Sequence, residues 1–354
     1  MTFRKLLYPF SLPYHLITAV RNWAFDNSIL KSREFEVPVI AIGNLSTGGT
    51  GKTPMTEFLI SHFSEKHIGL VSRGYGRKTN GLVLATPEHR FDEIGDEPYQ
   101  IFHKFPQIKL ALAEKRVEGI EALLKNENLD FILLDDAYQH RYVKAGFSIL
   151  LTTYSNPFYE DLILPAGNLR ESRSGKNRAD IIVVTKCSND LSSAKAEEIK
   201  RKLKPVDGQS VYFSGLEYGE PVNYLGSTFR YNPSSSGITQ GDSGSGSAEN
   251  IILLTGIANP KPMQEYLQKQ YSIVQHLNYP DHHHFSQKDI EDIEDLLALK
   301  KLPVITTEKD WVRLKALLKK EVLEHVFYLP MQVKVLFEKE NMLLREVVDY
   351  VKSE

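Results

Sequence analysis

The stretch "IGNLSTGGTGKTP", residues 42 to 54, limits what this chain can fold into more than any other. It sets Gly48, Gly49 and Gly51 directly before Lys52 and Thr53, the ending of a phosphate-binding loop. Before it, Val37 to Ile42 is a short apolar, β-branched run suited to a buried parallel strand. After it, Met55, Phe58, Leu59 and Phe63 share one face of a helix. Strand, glycine-rich turn and helix N-terminus together aim backbone N–H groups and a partial positive charge at an anion. Lys52 can then reach the outer phosphates, and the Thr53 hydroxyl is placed for Mg²⁺. The expected nucleotide cradle is Thr47, Gly48, Gly49, Thr50, Gly51, Lys52 and Thr53. One position departs from G-x-x-x-x-G-K-[ST], which wants glycine where this chain has Ser46. A merely structural turn is the bland alternative, and strand, helix and Gly-Lys-Thr together weigh against it.

The pattern of apolar run, turn and helix then repeats. "IGLVSRGYG" (68–76), "IKLALAEKR" (108–116), "DFILLDDAYQH" (130–140), "FSILLTT" (147–153) and "DIIVVTK" (180–186) supply strands. Such alternation predicts an α/β fold, a P-loop NTPase-like parallel sheet with helices on both faces. It continues more weakly after residue 205, which predicts a smaller α/β C-terminal domain. The expected organisation is an N-terminal helix at 1–30, a phosphate-loop domain at 31–210 and the smaller domain at 211–354, whose last helix could pack back. The boundary falls near 205–220. The Ser- and Gly-rich stretch at 231–250, centred on 232–249, reads as a mobile loop.

At 354 residues the chain can build two cores, and a net charge of −2 gives no reason to expect nucleic acid as a partner. Its single cysteine, Cys187, excludes an internal disulfide. No apolar run is long enough to span a membrane. The N-terminus is unusual, however. Pro9 and Pro13 interrupt it, so it makes a poor signal peptide. From Pro13 onward, Leu16, Ile17, Val20, Trp23 and Ala24 recur at helical spacing, with Arg4, Lys5 and Arg21 as basic anchors. That suits a helix lying in a membrane interface, and it equally suits a helix packed on the protein's own core.

Four further constellations carry chemistry. An apolar strand ending in Asp135-Asp136 resembles the metal-side strand of a nucleotide site, with Gln139 and His140 extending the polar cluster. Asp96, in "GDEP", is a plausible N-cap with Pro98 in the first turn, and capping alone accounts for it. "YPDHHHF" precedes a helix capped by Ser286 and Asp289. Its consecutive histidines do not make a zinc set, although a histidine paired with a carboxylate can abstract a proton. In "LPAGNLRESRSG", Asn168, Arg170 and Arg173 could hold a phosphate or simply line a solvated loop.

Taken together these motifs resemble the tetraacyldisaccharide 4'-kinases of lipid A biosynthesis, over nearly the whole chain. The resemblance runs through "LLYPFSLPYHLITAVRNWAFDNSILKS", "IGNLSTGGTGKTP", "VSRGYGR", "GDEP", "DDAYQH", "LPAGNLRE", "VVTK", "GIANP", "YPDHHHF" and "TTEKD". Where the family usually has Asp-Asp-Gly-Phe-Gln-His, this chain has Ala137 and Tyr138; Ser46 is no obstacle, since the family's loop is itself an altered form. The resemblance implies transfer of the ATP γ-phosphate to the 4'-hydroxyl of a tetraacylated glucosamine disaccharide 1-phosphate at the cytoplasmic face of the inner membrane. It implies two α/β domains joined by a short β linker. It assigns Lys52 and Thr53 to phosphate and Mg²⁺, and Asp135, Asp136 and Glu97 to the metal side. Asp96 and His282 become the base pair. Ser72, Arg73, Gln139, His140, Asn168 and Arg170 become substrate-binding. The partners implied are the acylated disaccharide lipid and the membrane surface, with the chain acting as a monomer. The rival is a deviant P-loop regulatory ATPase, where a lysine usually replaces Thr47. A GTPase would want Asp where this chain has Ser188, and a membrane adaptor would not need Asp96, Asp136 and His282.

Overall fold

The computed structural model describes residues 3–229, 249–281 and 283–353, without the side chains of Phe3 and Lys5. His282 and nearly all of the Ser/Gly-rich stretch therefore lie outside the described residues. Two compact units are formed, one from residues 1–217 with 332–354 and the other from 218–331. The second unit thus ends at Met331, and the C-terminal helix Glu340–Ser353 belongs to the first.

The strands of the first unit are β1 (Val39–Asn44), β2 (Ile68–Ser72), β3 (Val83–Leu84), β4 (Lys109–Leu112), β5 (Phe131–Leu134), β6 (Phe147–Thr153), β7 (Ile181–Thr185) and β8 (Ser210–Tyr218). Those of the second are β9 (Glu249–Thr255), β10 (Tyr271–Asn278), β11 (Val304–Thr307) and β12 (Val326–Leu329), after which β13 (Met331–Val335) returns to the first sheet. The larger sheet runs β13-β8-β7-β6-β1-β5-β2-β4-β3, with parallel pairing from β8 to β4 and an antiparallel edge at β3. Its central strands read as unbroken apolar runs because both faces are covered. Ile40, Ile42, Leu133 and Ile149 enter one core, while Val39, Ala41, Ile132 and Leu134 enter another across the sheet. The C-terminal helix seals the first of these with Leu343 and Val347, and its Tyr350 hydroxyl accepts from Val39 N–H at 3.1 Å. The smaller sheet, β10-β9-β11-β12, is parallel throughout and also has two covered faces.

The N-terminal helix runs Tyr8–Asp26 after a 3₁₀ turn at Phe3–Leu7. Pro9 falls in the first turn, where an N–H has no helical partner to lose. Pro13 is taken into the helix interior.

Candidate active site

The phosphate loop leaves β1 at Leu45 and enters the helix Lys52–His62. Gly48 and Gly51 have φ of +107° and +88°, conformations that a side chain would strain. The loop is held from outside by its carbonyl oxygens. Thr185 Oγ1 donates to the Thr50 carbonyl at 2.7 Å and Lys186 Nζ to that of Gly49 at 2.6 Å. Asn44 Nδ2 reaches Thr50 Oγ1 at 2.7 Å, and Thr47 N–H donates to the Asn168 carbonyl at 2.8 Å. With the Gly49 and Thr50 carbonyls tied and Thr47 N–H spent on Asn168, an anion cradle falls to the later N–H groups of the loop and the start of its helix.

Facing the loop are the residues that end β5. Gly43 permits this approach, since a Cβ there would stand 2.7 Å from the Tyr138 Cβ. Asp136 takes φ +46°, and its carboxylate lies 3.6 Å from Lys52 Nζ and 3.1 Å from Arg170 Nη1. Burial alone would raise this carboxyl, but Lys52, Arg170 and Arg116 outweigh it and hold Asp136 below the ordinary carboxylate range. Its neighbour behaves oppositely. Asp135 is buried; burial and then the nearby Glu97 push its carboxyl up to about 6, against the pull of Lys52. Ser72 Oγ donates to Asp135 Oδ2 at 3.1 Å, while Oδ1 is buried with no hydrogen-bond partner. Thr53 Oγ1 donates to Glu97 Oε2 at 2.9 Å, which joins the start of the loop helix to the "GDEP" segment.

No group of three or more His, Cys, Asp or Glu among the described residues is ready to hold a metal by itself. Mg²⁺ does not need one, since it binds through one or two carboxylates plus phosphate oxygens and water. An orphaned buried carboxylate oxygen on Asp135, close enough to Glu97 to feel its charge, fits that habit, and Glu97 in turn accepts from the Thr53 hydroxyl.

The other expected site residues fall around this cluster. Gln139 is a hub: its Nε2 donates to the Asn44 carbonyl at 2.7 Å and to Glu171 Oε1 at 3.0 Å, and its carbonyl accepts from Arg21 at 2.9 Å. His140 is pushed down to about 4, chiefly by burial and then by Arg116 and Arg73, so it is neutral near pH 7. Arg73 is exposed just beyond Ser72. Asn168 is engaged by Arg4 at 2.8 Å and holds Asp161 at 3.0 Å. Asp96 is the first residue of the helix Asp96–Lys104; the cap is Gly95, at φ +91°, rather than Asp96 itself.

Three residues emerge that the motif reading passed over. Arg116, 2% exposed, donates to the Asp135 carbonyl at 3.3 Å and sets a buried positive charge behind both aspartates. Glu171 is buried among Gln139, Asn22 and Arg178. Lys186, at φ +57°, braces the phosphate loop. Each stands inside a quoted motif, yet its partner is a backbone or side-chain atom distant in sequence. Tyr138 fits where the family has phenylalanine because its hydroxyl donates to the Gly175 carbonyl at 2.8 Å. Ala137 is tolerated because the left-handed residue is Asp136.

The N-terminal helix is amphipathic in an inverted sense. It docks on the first unit through polar groups: Ser11 to the Ile163 carbonyl at 3.0 Å, Tyr14 to that of Arg170 at 3.0 Å and Asn22 to Glu171 at 2.7 Å. Leu6, Phe10, Leu12, Leu16, Ile17, Val20 and Trp23 are exposed, Ile17 at 68% and Trp23 at 57%. A helix packed on its own core would bury these residues. Arg4 and Arg21, expected to point at headgroups, donate instead to carbonyls of the 165–168 loop and Gln139. No helix among the described residues is long and apolar enough to cross a membrane.

A family model described as LpxK, tetraacyldisaccharide-1-P 4'-kinase, matches residues 3–349. The tetraacyldisaccharide 4'-kinase of Flavobacterium johnsoniae is 45% identical over 352 residues, covering 99% of this chain and 98% of the relative. That of Bacteroides thetaiotaomicron is 43% identical over 365 residues, covering 99% and 93%. The crystal structure of "apo" form LpxK from Aquifex aeolicus in complex with ATP superposes with a TM-score of 0.76 at 26% identity, over 99% of this chain and 100% of that one. With a phosphate loop set against a paired-aspartate turn and likeness running end to end, the chain belongs to the LpxK family of tetraacyldisaccharide-1-P 4'-kinases.

Proposed function

We propose that this chain transfers the γ-phosphate of ATP to the 4'-hydroxyl of a tetraacylated glucosamine disaccharide 1-phosphate, the step of lipid A biosynthesis that gives lipid IVA. The observation that carries this reading is the convergence of Lys52, Arg170, Asp135 and Asp136 at the phosphate loop of an LpxK-family chain. The 4'-oxygen attacks the γ-phosphorus, the bond from that phosphorus to the β–γ bridging oxygen breaks, and ADP leaves. Residues 47–53 cradle the phosphates, Lys52 and Arg170 draw off charge as it spreads over the transferring oxygens, and Asp136 holds both cations in place until substrate arrives. Bound Mg²⁺ would neutralise the β- and γ-phosphates, held by Thr53 and Asp135 with Glu97 and Asp136 beside them. The hydroxyl proton goes to Asp96, the carboxylate at the start of the helix that also presents Glu97. The role the resemblance gives His282, partner to that base, rests on the sequence alone. Ser72, Arg73, Gln139, His140 and Asn168 complete the acceptor side.

The acceptor's acyl chains are anchored in a bilayer, and the exposed apolar stripe of the N-terminal helix supplies a surface to meet them. We read the chain as a monomer lying on the cytoplasmic face of the inner membrane by this helix, through Leu16, Ile17 and Trp23 more than through Arg4 and Arg21.

Phosphorus NMR of the product tests the assignment. A second phosphate monoester on the distal sugar, borne at its 4' position, is the expected result. Release of the γ-phosphate only as inorganic phosphate would overturn it.

A further inference from the structure

The helix that opens with Asp96 and Glu97 is joined to the phosphate-loop helix by a polar seam, and the reaction as described uses only one end of it. Thr53 and Glu57 lie one turn apart on the helix Lys52–His62, while Glu97, Gln100 and Lys104 share one face of the helix Asp96–Lys104. The first rung is the bond from Thr53 Oγ1 to Glu97 Oε2 at 2.9 Å. In the next two, Glu57 Oε1 accepts from Gln100 Nε2 at 2.7 Å and Glu57 Oε2 from Lys104 Nζ at 2.7 Å. Glu57 is 6% exposed and Gln100 7%. Both helices also enter one apolar core, through Phe58 on the first and Ile101 and Phe102 on the second. The second helix is seated closely at its start, since a Cβ on Gly95 would stand 2.9 Å from the Tyr75 carbonyl oxygen.

Phe58, Ile101 and Phe102 supply cohesion, and the buried Glu57 adds little to it, because apolar residues of similar volume do as well or better. Direction is what the seam adds. Apolar contact tolerates sliding, whereas three hydrogen bonds at fixed positions allow the two helices a single register. A slip of one residue would carry Asp96 about 1.5 Å along its helix axis. Misplacement by about 1 Å, even when caused far from the chemistry, can cost on the order of 10² in rate. The seam thus sits where it governs the distance from Asp96 and Glu97 to Lys52 and Thr53, all within the first unit.

We infer that Glu57, Gln100 and Lys104 are positioning residues for phosphoryl transfer: they set the helix that carries Asp96 and Glu97 in register with the helix that carries Lys52 and Thr53. This rests on the kinase reading above, with Asp96 as proton acceptor. The test is an apolar seam on the full chain, Glu57→Met with Gln100→Leu, followed by kcat, thermal unfolding and calorimetric binding of ADP. The double variant should unfold close to the temperature of the unaltered protein and bind ADP within about 2-fold, while kcat falls roughly 10- to 100-fold. A folded double variant with kcat within about 2-fold of normal would overturn the inference. So would a loss of ADP affinity as large as the loss in kcat, since that is general damage to the loop and not a lost register. Should the double variant fail to fold, Lys104→Met decides, because the Lys104 side chain is 33% exposed and its loss leaves the core intact. It should lose several-fold in kcat with ADP binding unchanged, and full kcat in this variant overturns the inference too. Failure of the underlying reading is seen separately, as absence of lipid phosphorylation by the unaltered protein or as an Asp96→Asn variant that keeps its turnover.

Discussion

Two buried aspartates, one in each unit, make an instructive pair. Asp135 closes β5 in the first unit and Asp310 follows β11 in the second. Both are almost wholly shielded from water. Asp310 has each oxygen engaged, by Arg313 on one side and by Gly256 N–H and Thr307 on the other. Asp135 has one oxygen on Ser72 and one that is buried without a partner, and its carboxyl is pushed up to about 6. A folded protein satisfies its buried polar groups unless something else is to satisfy them. The complete carboxylate is framework; in the function proposed above, the incomplete one would help to hold the cation that arrives with the nucleotide.

This contrast can be broken at several points, most severely at the chemistry itself. Asp96→Asn should lower kcat by roughly 10²–10⁴ with little change in unfolding temperature if Asp96 accepts the proton. A variant that keeps most of its kcat would return Asp96 to a structural role. Lys52→Ala removes the cation beside Asp136 that the proposed function sets on the transferring phosphate, and turnover should fall on the order of 10² or more in a folded protein. Near-normal turnover would take the loop out of the mechanism.

Asp135→Asn bears on the comparison most directly. The Mg²⁺ concentration for half-maximal rate should rise, while the nucleotide-free protein becomes more stable near neutral pH. The sign follows from the raised pKa. Asp135's contribution to stability is intact below its ordinary value of 3.8 and declines as pH rises through about 6. The variant's advantage should therefore grow between these pH values and stay level above them. Unfolding curves at pH 4 and pH 8 would show it, and an advantage that does not grow with pH would contradict the account.

How much of this could be read without coordinates depends on the distance over which each residue acts. The strands, the phosphate loop and the capping box at Ser286 were legible because period, glycine placement and caps are local signals. Arg116 was not, since its meaning comes from a carbonyl reached across the fold, in a segment that reads only as a strand leading into a helix. The two prolines that interrupt the N-terminal stretch in sequence do not break its helix: Pro9 costs nothing in the first turn, and Pro13 is taken inside. Whether its apolar stripe faces the core or the outside could not be decided from periodicity, because the polar face finds its partners in the 161–171 loop.

That stripe gives a prediction smaller in effect. Leu16→Glu with Ile17→Glu should leave folding intact and cut binding to anionic vesicles several-fold. The KM for the lipid should rise more than that for ATP. Unchanged sedimentation with vesicles would show that the stripe meets something else. Smallest of all, Tyr138→Phe restores the family's usual residue and removes one buried hydrogen bond to Gly175. It should cost about 1 kcal/mol of stability and leave turnover alone.

The central claim is that the phosphate loop and its unfinished carboxylate serve transfer to a lipid hydroxyl and not hydrolysis. The decisive measurement follows ADP formed and lipid phosphorylated in the same reaction, with the disaccharide 1-phosphate present and absent. The account predicts one ADP for each lipid phosphorylated and almost no ADP without the acceptor. ADP released at the same rate in both reactions, with no phosphate gained by the lipid, would contradict it.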